Sequence, residues 1–180
     1  MTADERSFVP VRIAVLTVSD TRTPETDRSG QVLVERLTAA GHHLAARQIV
    51  PDEIAAIREV VRAWSFQPDI DVVITTGGTG LTGRDVTPEA VEPLFEKRMD
   101  GFAWAFHHVS YEKIGTSTVQ SRATAGVANA TYIFCLPGSP GACRDAWDHI
   151  LAQQLDYRHM PCNFVEILPR LDEHMQRRKG

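Results

Sequence analysis

The stretch from Asp71 to Ala90, DVVITTGGTGLTGRDVTPEA, constrains the fold more than any other part of the chain. Val72, Val73 and Ile74 form a β-branched run suited to a strand buried on both faces, and Gly77, Gly78, Gly80 and Gly83 follow it at once. Glycine allows positive φ and carries no Cβ to hold a ligand away. The N–H groups of Gly77, Gly78, Thr79 and Gly80, with Thr76 leading into them, are therefore expected to converge on an anion. Arg84-Asp85 then sets a cation beside a carboxylate, and Thr87-Pro88-Glu89 reads as N-cap, N1 and an acidic first turn. Strand, bare loop and helix start, in that order, make a phosphate cradle.

Two familiar motifs fit this loop poorly. Residues 78–83 satisfy G-x-G-x-x-G, but a dinucleotide site needs its helix to begin among the glycines and an acid ending the next strand. Pro88 starts the helix too late, and no such acid follows. A P-loop would need Lys and Ser or Thr where Arg84 and Asp85 stand. A carboxylate there repels phosphate unless a divalent cation lies between them, so Asp85 makes sense as a Mg²⁺ ligand in a phosphate-transfer site. The alternative is an ordinary tight βα turn in which Asp85 caps a backbone N–H.

The 180 residues suffice for one domain with a substantial core, at 43% hydrophobic content. A formal charge of −4 and a pI near 6.0 argue against nucleic-acid or membrane-surface binding, both of which need a clustered positive field. The basic run Arg177-Arg178-Lys179 reads as a solvated tail. Asp4, Glu5 and Arg6 leave no room for a signal peptide in the first ten residues, and no run approaches membrane-spanning length, so a cytoplasmic protein is expected. Cys135, Cys143 and Cys162 lack C-x-x-C spacing and read as reduced thiols, and the pairs His42-His43 and His107-His108 read as surface or core residues rather than metal ligands.

Along the chain, RIAVLTVS (residues 12–19) reads as a strand with Ser19 and Asp20 at its mouth. Ser29 is expected to cap a helix with Leu33, Leu37 and Ala40 on one face and Gly41 as its stop. A strand over 43–50 follows, then a helix carrying Ile54, Ile57, Val61 and Trp64, with Asp52 either its N-cap or a strand-mouth residue facing the glycine loop. This β-α-β-α-β-loop-α order implies a parallel sheet covered on both faces, with ligands gathered at the carboxyl ends of the strands. Residues 88–112 read as helical and aromatic-rich, interrupted at Asp100-Gly101, and are offered for self-association. Hydroxyl-rich 115–126 reads as a pocket wall or a solvated loop, and TYIFCL (131–136) as the last strand. Ser139 and Pro140 then supply an N-cap and N1 after the Pro137-Gly138 turn, a second anion-accepting helix start. The domain is expected over 1–165, with a partly ordered tail over 166–180.

TTGGTG followed by RDVTPEA, with the later SRA and PGSPGAC, resembles the MoaB/Mog-type molybdopterin-binding family of molybdenum cofactor biosynthesis. VSDTRT, EKIGTSTVQSRATAGVANAT and PCNF are similar to its MoaB branch, and the likeness covers about residues 10–165. The resemblance implies an α/β/α sandwich with a mixed, mostly parallel sheet, assembled as a homotrimer or as a hexamer of two trimers. It further implies binding of molybdopterin, adenylylation of its terminal phosphate with Mg-ATP, and contact with other proteins of the pathway. By position, Gly77, Gly78, Thr79 and Gly80 would hold phosphate, Asp85 would be tied to Mg²⁺ and catalysis, and Asp52 would be a second functional aspartate. Ser117, Ser121, Arg122 and Pro137, Gly138, Ser139 would line the pterin or nucleotide pocket.

That implication agrees with the residues read alone. Bringing a phosphate against the α-phosphorus of ATP joins two anions, which a metal and oriented backbone dipoles can neutralise without an activated Ser or Cys. A pterin carrier without turnover is the alternative of another class, and a nicotinamide oxidoreductase a third.

Overall fold

A computed structural model describes residues 6–176. Its strands are β1 (Arg12–Val18), β2 (His43–Val50), β3 (Val72–Thr76), β4 (Lys97–Arg98), β5 (Thr124–Ala128) and β6 (Thr131–Leu136), in the sheet order β2-β1-β3-β6-β5-β4. β2, β1, β3 and β6 run parallel, whereas β5 pairs antiparallel with both β6 and β4. The sheet is therefore mixed and mostly parallel, as expected.

The period of two in the strands feeds two cores. Ile13 and Val15 point to the face covered by α1 (Arg28–Ala39), α4 (Asp100–Ile114) and α5 (Pro140–Ala146), together with Leu33, Phe106 and Phe134. Ala14, Leu16 and Val18 point to the other face, where Ile57 and Val61 of α2 (Ile54–Ser65) and Val91 of α3 (Thr87–Val91) close over them. β3 and β6 have every residue buried, which requires a layer on each side. The result is a three-layer α/β/α sandwich.

Several local expectations change. α1 is capped by Asp27, whose carboxylate accepts from Gly30 N–H at 2.9 Å, the Thr17 hydroxyl at 2.8 Å and Arg47 at 3.0 Å; Ser29 is an inner, buried residue and Ala40 is exposed. A buried carboxylate with three donors outcompetes a neighbouring hydroxyl for the cap. Asp52 does not cap α2, whose N-cap is Glu53. Thr87 is likewise inside α3, and its hydroxyl donates to Gly77 O at 2.8 Å. Asp100-Gly101 opens α4 instead of interrupting a helix, and the short strand β4 precedes it. β5 begins in the last three residues of the expected hydroxyl-rich stretch and is joined to β6 through Asn129 and Ala130, both at positive φ.

After α5 the helix widens into a π segment (Trp147–Leu151) and ends with α6 (Ala152–Gln154); α7 (Phe164–Ile167) and α8 (Glu173–Gln176) follow. Phe164 and Val165 pack on the first core. Arg177-Arg178-Lys179, Asp4 and Glu5 lie outside the described residues. Among the described residues no helix is long and apolar enough to cross a membrane.

Candidate functional site

The carboxyl ends of β1, β3 and β6 meet with almost no side chain between them. Gly77 takes φ +107°, and a Cβ there would stand 2.2 Å from Val18 O, while a Cβ on Gly138 would stand 3.1 Å from Gly77 Cα. Only bare backbone permits this approach. Gly77 N–H donates to Leu136 O at 3.0 Å, so it belongs to the sheet edge rather than to an anion cradle, a correction to the loop as expected. Among the described residues Gly78 and Thr79 N–H have no protein acceptor, and these two remain for a ligand.

Arg122 holds the loop in shape. Its Nε donates to Gly80 O and its Nη2 to Asp85 O, both at 2.8 Å, while Nη1 pairs with Glu89. Arg122 N–H also donates to Thr79 O at 2.9 Å. The guanidinium is thus a clamp behind the loop and does not face the cleft. Thr76 is also behind it, fully buried, with its hydroxyl donating to Pro137 O at 3.0 Å.

The loop forms one wall of a cleft of about 580 Å³. Gly77, Gly78, Thr79, Gly80 and Asp85 line it, Ser19 stands at one edge, and Pro137, Gly138 and Ser139 close another. Ser139 caps α5 by accepting from Ala142 N–H at 3.1 Å. Ser117 and Ser121 face the loop across the cleft. The sequence reading missed Phe106, Ser110 and Ile114, which line the same wall at spacings of four along α4, and Thr118. That helical spacing inside an aromatic-rich segment was the signal available for the first three. Thr118 is 5% exposed, and its hydroxyl is one of two buried side-chain oxygens without a hydrogen-bond partner among the described residues. An unpaired buried hydroxyl in a cleft wall is suited to a polar ligand.

Asp85 and Asp52 both press on the loop. Asp85 Oδ2 lies 2.6 Å from where a Gly80 Cβ would be, and Asp52 Oδ1 lies 3.2 Å from that of Gly78. Asp85 Oδ2 accepts from Thr82 N–H at 2.8 Å and the Thr82 hydroxyl at 2.7 Å. Burial alone would raise the Asp85 carboxyl, but the Thr82 and Gly80 hydrogen bonds and the Arg122 charge outweigh it and hold the group below the usual carboxylate value. Asp52 is raised by burial, with the neighbouring Asp20 and Asp85 charges adding to the effect and the Asp20 N–H and Arg84 opposing it. Asp20 is held low chiefly by Arg84, which grips it in a fork at 2.8 and 2.9 Å. Asp20 and Asp52 stand on the rim outside the cleft lining.

Among the described residues no group of three or more His, Cys, Asp or Glu side chains could by itself hold a metal ion. Mg²⁺ does not require one: it is commonly held by one or two carboxylates, with phosphate oxygens and water completing the octahedron. Asp85 and Asp52, hard oxygen donors on either side of a phosphate-sized loop, fit such an ion arriving with a nucleotide.

The family described as "Probable molybdopterin binding domain" matches residues 14–157. The chain is 54% identical over 157 residues to molybdenum cofactor biosynthesis protein B of Escherichia coli (strain K12), covering 87% of this chain and 92% of the relative. It is 47% identical over 146 residues to the protein of the same name in Bacillus subtilis (strain 168), with 81% and 86% covered. A crystal structure of a molybdenum cofactor biosynthesis protein B superposes with a TM-score of 0.84 at 40% identity, over 93% of this chain and 99% of the other. The loop, the paired aspartates and these likenesses together mean that the chain belongs to the MoaB/Mog-type molybdopterin-binding family.

Proposed function

We propose that this member of the family acts in molybdenum cofactor biosynthesis by adenylylating the terminal phosphate of molybdopterin with Mg-ATP. An oxygen of the molybdopterin phosphate attacks the α-phosphorus of ATP. The bond from that phosphorus to the bridging oxygen breaks, and pyrophosphate leaves with the electron pair. The observation that carries the reading is the placing of Asp52 against Gly78 and Asp85 against Gly80, on either side of backbone with free N–H groups.

Gly78 and Thr79 N–H orient phosphate oxygens, and Arg122 fixes their direction before the ligand arrives, so little reorganisation accompanies the reaction. Phe106 and Ile114 give the cleft an apolar wall against a flat ring, and Ser117, Ser121 and Thr118 give it hydroxyls for the polar edge of a pterin. Asp85 and Asp52 would hold Mg²⁺, which when bound supplies positive charge to the crowded phosphates. Exposed Trp104 and Tyr111 on α4, 72% and 57% accessible, suit the surface buried in a trimer or hexamer.

A non-catalytic molybdopterin-binding or carrier role is favoured by one observation: Asp85 already serves its own loop by accepting twice from Thr82. Asp85→Asn separates the readings, because asparagine can still accept from Thr82. With molybdopterin and Mg-ATP, the enzyme reading expects pyrophosphate release to fall by about 10²-fold or more while molybdopterin still binds. Wild-type protein that forms no ATP-dependent product would leave the carrier role in possession.

A further inference from the structure

His107 sits half-buried on α4, and both of its ring nitrogens meet carbonyl oxygens. Nδ1 lies 2.6 Å from Ala103 O, one turn back on the helix, and Nε2 lies 3.0 Å from Ser121 O. A carbonyl oxygen only accepts. A neutral imidazole carries one N–H and one lone pair, so it serves one of these oxygens and turns a lone pair on the other; the imidazolium donates to both. We propose that His107 is a positioning residue for the glycine loop, a two-pronged latch that closes fully when the ring takes up its second proton. The inference rests on that loop as the seat of the phosphates in adenylyl transfer and adds what sets its shape.

The latch reaches the loop through a single peptide group. Beyond α4 the chain runs through a 3₁₀ turn over Gly115–Gln120, which carries Ser117 and Thr118 into the cleft wall, and comes back at Ser121. There the peptide between Ser121 and Arg122 is gripped at both ends: its oxygen by His107, and its N–H by Thr79 O at 2.9 Å. Among the described residues this is the one side-chain hydrogen bond from α4 to the excursion. Donation to Ser121 O polarises the peptide and strengthens the bond that its N–H makes to Thr79. The same peptide seats Arg122, whose guanidinium clamps Gly80 O and Asp85 O from behind.

With only one proton on the ring, the shorter contact has first claim. A lone pair 2.6 Å from a carbonyl oxygen is worse than one at 3.0 Å, so the proton belongs on Nδ1 and the Ser121 bond is the one that lapses. Clamp and loop then slacken together. Among the described residues the ring has no ion-pair partner of its own. Residues 115–120 and β5 carry no ionisable side chain, and the nearby charges are engaged elsewhere: Asp100 with Arg98, Glu112 with His108, Lys113 with Asp145, Arg122 with Glu89. Histidine gains its second proton as pH falls through the range of about 8 to 5, so acidification tightens the latch.

The test is calorimetric titration with Mg-ATP at about pH 6 and pH 8.5 on three proteins: the wild type, His107→Gln, which never carries a charge, and His107→Arg, a permanent double donor. ATP itself titrates in this range, so affinities are compared between proteins at each pH. At pH 6 the wild type is expected to bind like His107→Arg and about five- to tenfold more tightly than His107→Gln, and at pH 8.5 to bind like His107→Gln. An unchanged ratio of wild type to His107→Gln at the two pH values overturns the latch, since a merely structural histidine costs the same at each. That ratio decides by itself should the arginine variant fold poorly. A second measurement needs no ligand: ¹⁵N spectra of the imidazole at pH 6 are expected to show both His107 N–H protons held from exchange with water. A ring proton in fast exchange overturns the proposal. Failure of the wild type to bind Mg-ATP at either pH overturns adenylyl transfer instead, and the imidazole spectrum then decides the latch.

Discussion

Asp20 and Asp52 hold each other: Asp20 N–H donates to Asp52 Oδ2 at 2.9 Å, and Asp52 N–H donates to Asp20 Oδ1 at 3.1 Å. The exchange ties the ends of β1 and β2 into one rim and sets two carboxylates side by side. Arg84 neutralises Asp20, so Asp52 is left as the less comfortable anion.

Asp52→Asn should therefore stabilise the protein while impairing it. Burial holds the Asp52 carboxyl above its ordinary 3.8, so ionising it costs more in the folded state than in the unfolded chain. Its ionised form weakens the fold fully above the raised folded value, and that penalty fades as pH falls through that value and is gone below 3.8, where both states carry the proton. Differential scanning across pH is expected to show the variant melting roughly 1–3 °C higher at neutral pH and level with the wild type at acid pH. A lower melting temperature at neutral pH would show that the carboxylate is structural. Adenylylation should drop in the same variant.

Arg122→Ala should loosen the loop at its back. Two carbonyls and Glu89 lose a charged donor, for a destabilisation of about 2 kcal/mol, or roughly 4–8 °C in Tm. Arg122→Lys should recover little, because an ammonium cannot reproduce a planar fork spanning two acceptors. If the lysine variant melts with the wild type, the clamp is a matter of charge alone.

Thr118→Val replaces an unpartnered buried hydroxyl by a methyl of the same shape. A merely structural threonine would lose stability on the change. Here the free protein should melt at or above the wild-type temperature, since an unsatisfied polar group is removed, while molybdopterin affinity falls about five- to tenfold. Paired melting and binding measurements decide it.

Thiol labelling should count one cysteine. Cys162 is exposed, whereas Cys135 and Cys143 are buried. Burial pushes their thiols up to about 12 and about 11, with the neighbouring Thr75 and Thr76 hydroxyls opposing it more weakly. At pH 8 a maleimide is expected to modify Cys162 alone in the native protein and all three after denaturation. Rapid native modification of Cys143 would mean that the β6–α5 turn opens.

The β-α-β-α-β order and the second helix start were legible because each rests on a short-range rule: β-branched runs, Gly and Pro punctuation, Ser139 before Pro140. β5 was not legible, because its glycine and alanines carry little strand propensity. Their small size is set by a distant residue: a Cβ on Gly126 would come within 2.4 Å of the Phe95 ring. Asp27 displaced Ser29 as a cap for a similar reason, since Thr17 and Arg47 reach it only once β1 and β2 pair. Within the site, the glycines and both aspartates stood out locally. The Arg122 clamp did not, because its acceptors are backbone carbonyls some 40 positions away that no motif marks.

The meeting of Gly77 with Val18 O and Gly138 makes the tips of three strands behave as a single casting. Neither turn can be decorated by itself, since a side chain at Gly77 would strike the β1 carbonyl of Val18 and one at Gly138 would strike Gly77. Anyone seeking to retune this protein for another ligand should therefore leave the seam alone and vary the two flanking walls, which can be altered one at a time.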